Sequence, residues 1–179
     1  LPDITLALLI LILTPLMGVS GAENAAIIIW PLMLFGAVSA GLVALLRNLG
    51  ATSSAGALCI IVFFFSAAIY QYSPGRIDHH GFVVVLVLAG LTAVLSRQMT
   101  ARSGIVLALS VTAALSIALE GLPYVAGLIA IMGLFWVVRG HREGVRLAAF
   151  GVALMILASL FFALDAPGIG DRRLVCDAY

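Results

Sequence analysis

Lysine is missing from the 179 residues, and charge of either sign is sparse: nine arginines and eight acids make up 9% of the chain. Soluble domains of this size carry about 25% charged residues, whereas here 64% of the residues are hydrophobic and the mean hydropathy is +1.24. That balance excludes the ordinary water-soluble class. A net charge of +1, with no basic run able to neutralise several phosphates, excludes nucleic-acid binding. Cysteine is scarce too. Cys59 sits inside an apolar run and Cys176 near the end, without CxxC spacing or neighbouring histidines, so neither a zinc knuckle nor a redox pair is offered.

Long hydrophobic runs are what the chain has instead. A bilayer core needs about 20 apolar residues per spanning helix, and Arg, Gly and Pro divide the sequence into segments near that length: 25–46, 54–69, 82–95, 105–119, 124–138 and 147–164. A further stretch, 4–17, is interrupted by Thr14-Pro15 and is short for a span, which fits an interfacial or re-entrant helix. It follows Asp3, lacks a basic leader and precedes more apolar segments, so it does not read as a cleaved signal. The expected fold is an all-α polytopic transmembrane bundle of about six spans plus one short interfacial or re-entrant helix. Residues 1–20 form the interfacial region, 25–164 the six spans and 165–179 an extracytoplasmic loop. The opening Leu and the ending Val175-Cys176-Asp177-Ala178-Tyr179 read as a segment cut from a longer protein.

Orientation follows from the asymmetry of basic residues. Alternate loops hold Arg47, then Arg97 and Arg102, then Arg139, Arg142 and Arg146, which marks the cytoplasmic side. The other loops hold Asp3, Glu23, Asp78, Glu120, Asp165, Asp171 and Asp177, with only Arg76, Arg172 and Arg173 in balance. The Asp78 loop is then expected outside the cytoplasm. Tyr70 and Tyr72, ahead of it, suit an interfacial aromatic belt.

One loop concentrates functional groups: Ser73-Pro74-Gly75-Arg76-Ile77-Asp78-His79-His80, directly before an apolar segment. Pro74-Gly75 is a turn signal. Asp78 and His80 are two residues apart, so in an extended or turn conformation both can face one cation, and carboxylate plus imidazole suits Mn²⁺, Mg²⁺ or Zn²⁺. Two ligands do not complete such a site; water, phosphate or further carboxylates must fill the remainder. A helix starting here would turn unpaired N–H groups toward an anion, and Arg76 could add a forked phosphate contact. The competing account is structural: Arg76 and Asp78 form a local ion pair or cap the helix while His79 and His80 stay solvated. Glu120, ahead of Gly121-Leu122-Pro123 on the same expected face, is a candidate substrate contact or distant ligand, against the plainer role of a solvated acid before a proline-started helix. His141, among arginines, reads as part of a membrane anchor.

These residues resemble the second acidic motif of the membrane glycosyltransferases of GT-C fold, closest to oligosaccharyltransferase catalytic subunits and their bacterial relatives, in which archaeal members carry an Asp-His-His triplet. The resemblance implies that Asp78 and His80 contribute to a divalent cation site, Mn²⁺ or Mg²⁺, facing an extracytoplasmic cavity. Arg76, His79 and Glu120 then stand as candidate substrate contacts, and no catalytic base is assignable. It also implies a lipid-phosphate-linked sugar donor, an acceptor, surrounding membrane lipids and residence in a bacterial inner membrane. Leu1-Pro2-Asp3 and the apolar stretch after it look like the end of the family's first external loop. The motif-like part is Pro74 to His80; the family's first acidic motif and its peptide-recognising C-terminal domain are not within these 179 residues. Two other functions compete: a transporter in which Asp78, His79, His80 and Glu120 relay protons or cations, and a non-catalytic membrane scaffold.

Overall fold

The computed structural model describes the backbone of residues 2–165 and the side chains of residues 4–163. Of the loop expected at 165–179, Asp165 is the last residue of a helix, and 166–179, with Cys176, Asp171, Asp177, Arg172 and Arg173, lie outside the described residues. Six α-helices follow one another: α1 (Pro2–Asn48), α2 (Ser53–Phe64), α3 (His80–Val94), α4 (Ala101–Ile117), α5 (Leu122–Arg139) and α6 (Gly144–Asp165). Short 3₁₀ segments lie between α2 and α3 (Ala67–Tyr72), α4 and α5 (Leu119–Gly121) and α5 and α6 (Gly140–Glu143). No strand occurs among the described residues, as the all-α expectation requires.

Helix α1 is two arms joined at Gly18, whose φ of 74° and ψ of 172° lie outside the helical region and are open to a residue without Cβ. Pro15, three residues earlier, already removes one helical N–H. The short first arm thus corresponds to the segment at 4–17, and its Leu6 and Leu9 pack on a cluster of Trp30, Leu34, Val38, Tyr72 and Leu88. Helix starts follow ordinary capping chemistry. Thr52 accepts a hydrogen bond from the Ala55 amide at the head of α2, and Thr100 does the same for Ser103 at the head of α4. Pro123 occupies the first turn of α5, where its missing N–H costs nothing.

Two apolar clusters hold the bundle, and α3 belongs to both. One side of α3 adds Leu88 to the α1 cluster; its last turn adds Ala93 and Val94 to a second cluster with Leu107, Ala108, Val111 and Ala114 of α4, Val125, Leu128 and Met132 of α5, and Phe150 of α6. Small residues set the spacing, the usual device where helices must approach closely. A Cβ on Gly104 would lie 2.3 Å from the Arg146 carbonyl oxygen and 2.9 Å from the Phe150 nitrogen, so α4 crosses the α6 backbone at that glycine. Gly90 similarly seats Leu128 against α3.

The outer surface is apolar. Leu11, Ile12 and Leu16 of α1, Val137 and Val138 of α5, and Met155, Ile156 and Phe162 of α6 are all exposed. Two helical stretches, Ile4–Asn48 and Leu119–Ala163, are long and apolar enough to cross a membrane. Helices α2, α3 and α4 are apolar but have 12, 15 and 17 residues, below the roughly 20 that a perpendicular crossing takes. The segment expected at 54–69 is shortened most: its helix stops at Phe64, and Ser66 starts the 3₁₀ turn by accepting a hydrogen bond from Ala68.

At the end of the bundle opposite the Asp78 loop, arginines expected to mark topology also close helix termini. The last carbonyls of a helix have no partner within it. Arg97 donates to the Asn48 carbonyl at the end of α1 (3.0 Å), and Asn48 in turn donates to Thr92 of α3 (3.0 Å). Arg146, fully buried, donates to the carbonyls of Val94 and Ser96 at the end of α3. Glu143, also fully buried, lies 3.3 Å from the Arg146 guanidinium and 2.8 Å from that of Arg139, which stacks 4.0 Å over the Phe135 ring.

Candidate functional site

The loop that precedes α3 is tied down at both ends. Pro31 of α1 has no N–H, so the carbonyl four residues back, on Ile27, lacks its helical donor; the Gly75 amide donates to that carbonyl instead, at 3.1 Å. Gly75 reaches it with a φ of 91°, a conformation that favours glycine. Behind the loop, Tyr72 is buried against Phe35 and Phe63, and its ring lies where a side chain on Gly81 would otherwise stand. Of the two tyrosines expected in an interfacial belt, Tyr70 is exposed as a belt residue would be, but Tyr72 is a packing residue.

Asp78 is held within the loop. Arg76 Nε donates to its Oδ2, and the His80 amide, in the first turn of α3, donates to Oδ1 at 3.2 Å. Burial works to raise the carboxyl pKa, but the hydrogen bond and charge of Arg76, the charge of His80 and the His80 amide outweigh it, so Asp78 is held below the usual carboxylate range. Each Asp78 oxygen thus has a partner in the loop, and Asp78 lies outside the group of potential ligand atoms that His80 joins, so the expected pairing of Asp78 with His80 is not the one assembled in this arrangement. Of the two local roles foreseen for Arg76 and Asp78, an ion pair or a helix cap, the structure shows the ion pair; the N-cap position of α3 is His79, without a side-chain cap.

The histidines are not left to solvent. His79 Nε2 lies 3.0 Å, and His80 Nδ1 2.8 Å, from the same Glu120 oxygen, with the two imidazole centroids 4.4 Å apart. Glu120 arrives from the 3₁₀ turn between α4 and α5, 41 residues from His79. The ligand atoms of His79, His80 and Glu120 all lie within 4.8 Å of one another, and all three side chains are partly exposed.

Beneath this cluster opens a cleft of about 600 Å³. Its walls are Val38 and Leu42 of α1, Phe63 of α2, and Val83, Val84, Val87, Leu88 and Leu91 of α3; Arg76, His80, Glu120, Gln71 and Tyr124 supply its polar groups. The cleft is thus apolar along α1 and α3 and ionic where Arg76, His80 and Glu120 border it.

Comparison with protein-family models, with curated proteins and with solved structures returned no match.

Of the residues singled out in the sequence, the structure brings Arg76, Asp78, His79, His80 and Glu120 to one end of the bundle. His141 falls in the Gly140–Glu143 turn and is not part of this cluster. Sequence reasoning missed the apolar half of the site, because Val83, Val84, Val87 and Leu91 differ in no local way from valines and leucines that face outward. The i, i+4 spacing of Val83, Val87 and Leu91 on one helix face was the available signal.

Proposed function

We propose that this chain is the membrane-embedded part of a glycosyltransferase that takes a sugar from a lipid-phosphate-linked donor at the extracytoplasmic face. The observation that carries the reading is the cleft, apolar along α1 and α3 and ionic at its rim. A prenyl or acyl chain fits the wall of Val38, Leu42, Val83, Val87 and Leu91, where it removes apolar surface from contact with water or headgroups. The phosphate then sits at the rim, beside Arg76 and near the N-terminal turn of α3, whose positive dipole end favours an anion.

The chemistry asked of these residues is electrostatic. As an acceptor attacks the anomeric carbon, charge grows on the departing phosphate, and a fixed guanidinium stabilises it without reorganising. Asp78 keeps Arg76 in place, and the amide it accepts from His80 keeps the loop joined to α3. In a bilayer of ordinary thickness the short α2 and α3 draw the rim below the outer surface, within reach of a lipid phosphate.

Transfer from lipid-phosphate-linked sugars, followed in proteoliposomes containing the full-length protein, tests this reading. Asp78→Ala and His80→Ala are expected to lower donor-dependent transfer by more than roughly 10-fold, and Arg76→Ala by at least as much. Full activity in both Asp78→Ala and His80→Ala sinks it. Solute flux in the same vesicles without donor lipid would favour the transporter reading instead.

A further inference from the structure

We infer that His79, His80 and Glu120 form a binding site for a divalent transition-metal ion of the Zn²⁺ class, and that Asp78 is not one of its ligands. The donor set is two imidazole nitrogens and one carboxylate, from the start of α3 and from the α4–α5 turn. Imidazole suits zinc and its first-row neighbours, whereas Mg²⁺ and Ca²⁺ favour all-oxygen shells. The residues alone left Mn²⁺, Mg²⁺ and Zn²⁺ open at Asp78 and His80, and the family resemblance implied Mn²⁺ or Mg²⁺ there; the fold places His80 beside a carboxylate on another element.

Distances support the same assignment. Ligand atoms at 2.0–2.2 Å from a tetrahedral zinc lie roughly 3.3 Å from one another. The two imidazole–carboxylate separations are 3.0 and 2.8 Å and the two imidazole nitrogens lie within 4.8 Å of each other, so the ion enters if the carboxylate contacts open by a few tenths of an ångström and the nitrogens settle at a similar spacing. Such movement is available to partly exposed side chains at a loop end. Three protein ligands leave a fourth position open, the pattern of catalytic rather than structural zinc. His80 and Glu120 both line the cleft, so that position is accessible to an oxygen of a molecule held there.

Second-sphere support is also present. The Asp78 carboxylate accepts from the His80 amide, which fixes the backbone that carries both imidazoles, while Arg76 occupies its other oxygen. Asp78 is thus a positioning residue for the ligands. Any part the ion plays in sugar transfer rests on the function proposed above; the binding of the ion does not.

Zinc titration of the full chain in nanodiscs, by calorimetry and by metal analysis after dialysis, provides the test. One Zn²⁺ per chain is expected, with Mg²⁺ weaker by on the order of 100-fold or more. His79→Ala, His80→Ala and Glu120→Gln should each weaken Zn²⁺ by more than roughly 10-fold, and Asp78→Asn by less than any of them. Because a variant can fail to fold, the wild-type chain loaded with Cu²⁺ gives a second reading: electron paramagnetic resonance should show hyperfine coupling to two imidazole nitrogens. Failure of the wild type to bind Zn²⁺, coupling to a single nitrogen, or loss of zinc in Asp78→Asn alone overturns the assignment. Zinc binding without sugar transfer would overturn the transfer reading and leave the metal site standing; transfer without zinc binding would do the reverse.

Discussion

Arg146 illustrates how one side chain serves two needs at once. A guanidinium presents several donors in a fixed fork, and here two of them reach the orphan carbonyls of Val94 and Ser96 while the charge faces Glu143. Both partners are fully buried. Glu143 keeps its pair with Arg139 when Arg146 is removed, but its other oxygen and both capped carbonyls lose their partner, and each buried acceptor left without a donor costs about 1–3 kcal/mol. Arg146→Met should therefore lower stability by on the order of 3 kcal/mol, read as a fall in Tm in detergent. A variant that melts like wild type would show that the α3 terminus does not depend on this cap. At the other end of the bundle the logic differs: Arg76 is nearly half exposed, so its pair with Asp78 positions the loop more than it stabilises the fold.

At the scale of elements, α3 carries the most. Its first turn holds the two histidines, its middle forms one wall of the cleft, and its last turn joins the second apolar cluster. What keeps it upright is the α4–α6 pair on one side and α1 on the other. The α4–α6 contact is made through backbone at Gly104, where an added Cβ would collide with the main chain of α6. Main chain cannot swing aside as a side-chain tip can, so Gly104→Val should force the two helices apart and cost about 1–3 kcal/mol or more. Faster proteolysis of the Gly140–Glu143 turn, followed by mass spectrometry, would report that separation. Gly127, whose Cβ would meet nothing within 4 Å, is the matched control; equal behaviour of Gly104→Val and Gly127→Val would remove the argument from close approach.

The whole molecule presents hydrocarbon outward over most of its surface and gathers its ionic groups at two ends. Exposed leucine, isoleucine, valine and phenylalanine along α1, α5 and α6 would associate in water, and the carbonyls that α1 and α3 leave free at Ile27, Asn48 and Val94 find donors elsewhere in the chain, as a lipid environment demands. On the proposed topology Arg76 and Arg142 lie on opposite faces. In inverted and right-side-out vesicles of a Cys59→Ser, Cys176→Ser background, Arg76→Cys should react with an impermeant maleimide only from the extracytoplasmic side, and Arg142→Cys only from the cytoplasmic side. Labelling of both from one side would overturn that topology, and with it the placement of the donor site.

Apolar runs and the punctuation between them are local properties, so the sequence by itself determined that the chain is helical and roughly where its helices lie. The segments read at 82–95 and 124–138 match α3 and α5 to within two residues at each end. It also determined that functional groups crowd into 73–80, since that density needs no partner to be seen. Which of those groups face one another was decided only in three dimensions. Glu120 meets His79 across 41 residues because the α4–α5 turn packs beside the head of α3. Gly75 docks on α1 because Pro31 leaves a carbonyl free there. Tyr72 is buried and Tyr70 exposed although they are two residues apart. Helix formation is governed by neighbours along the chain; ligand sets and burial are governed by distances between segments, which close packing sets and linear order does not.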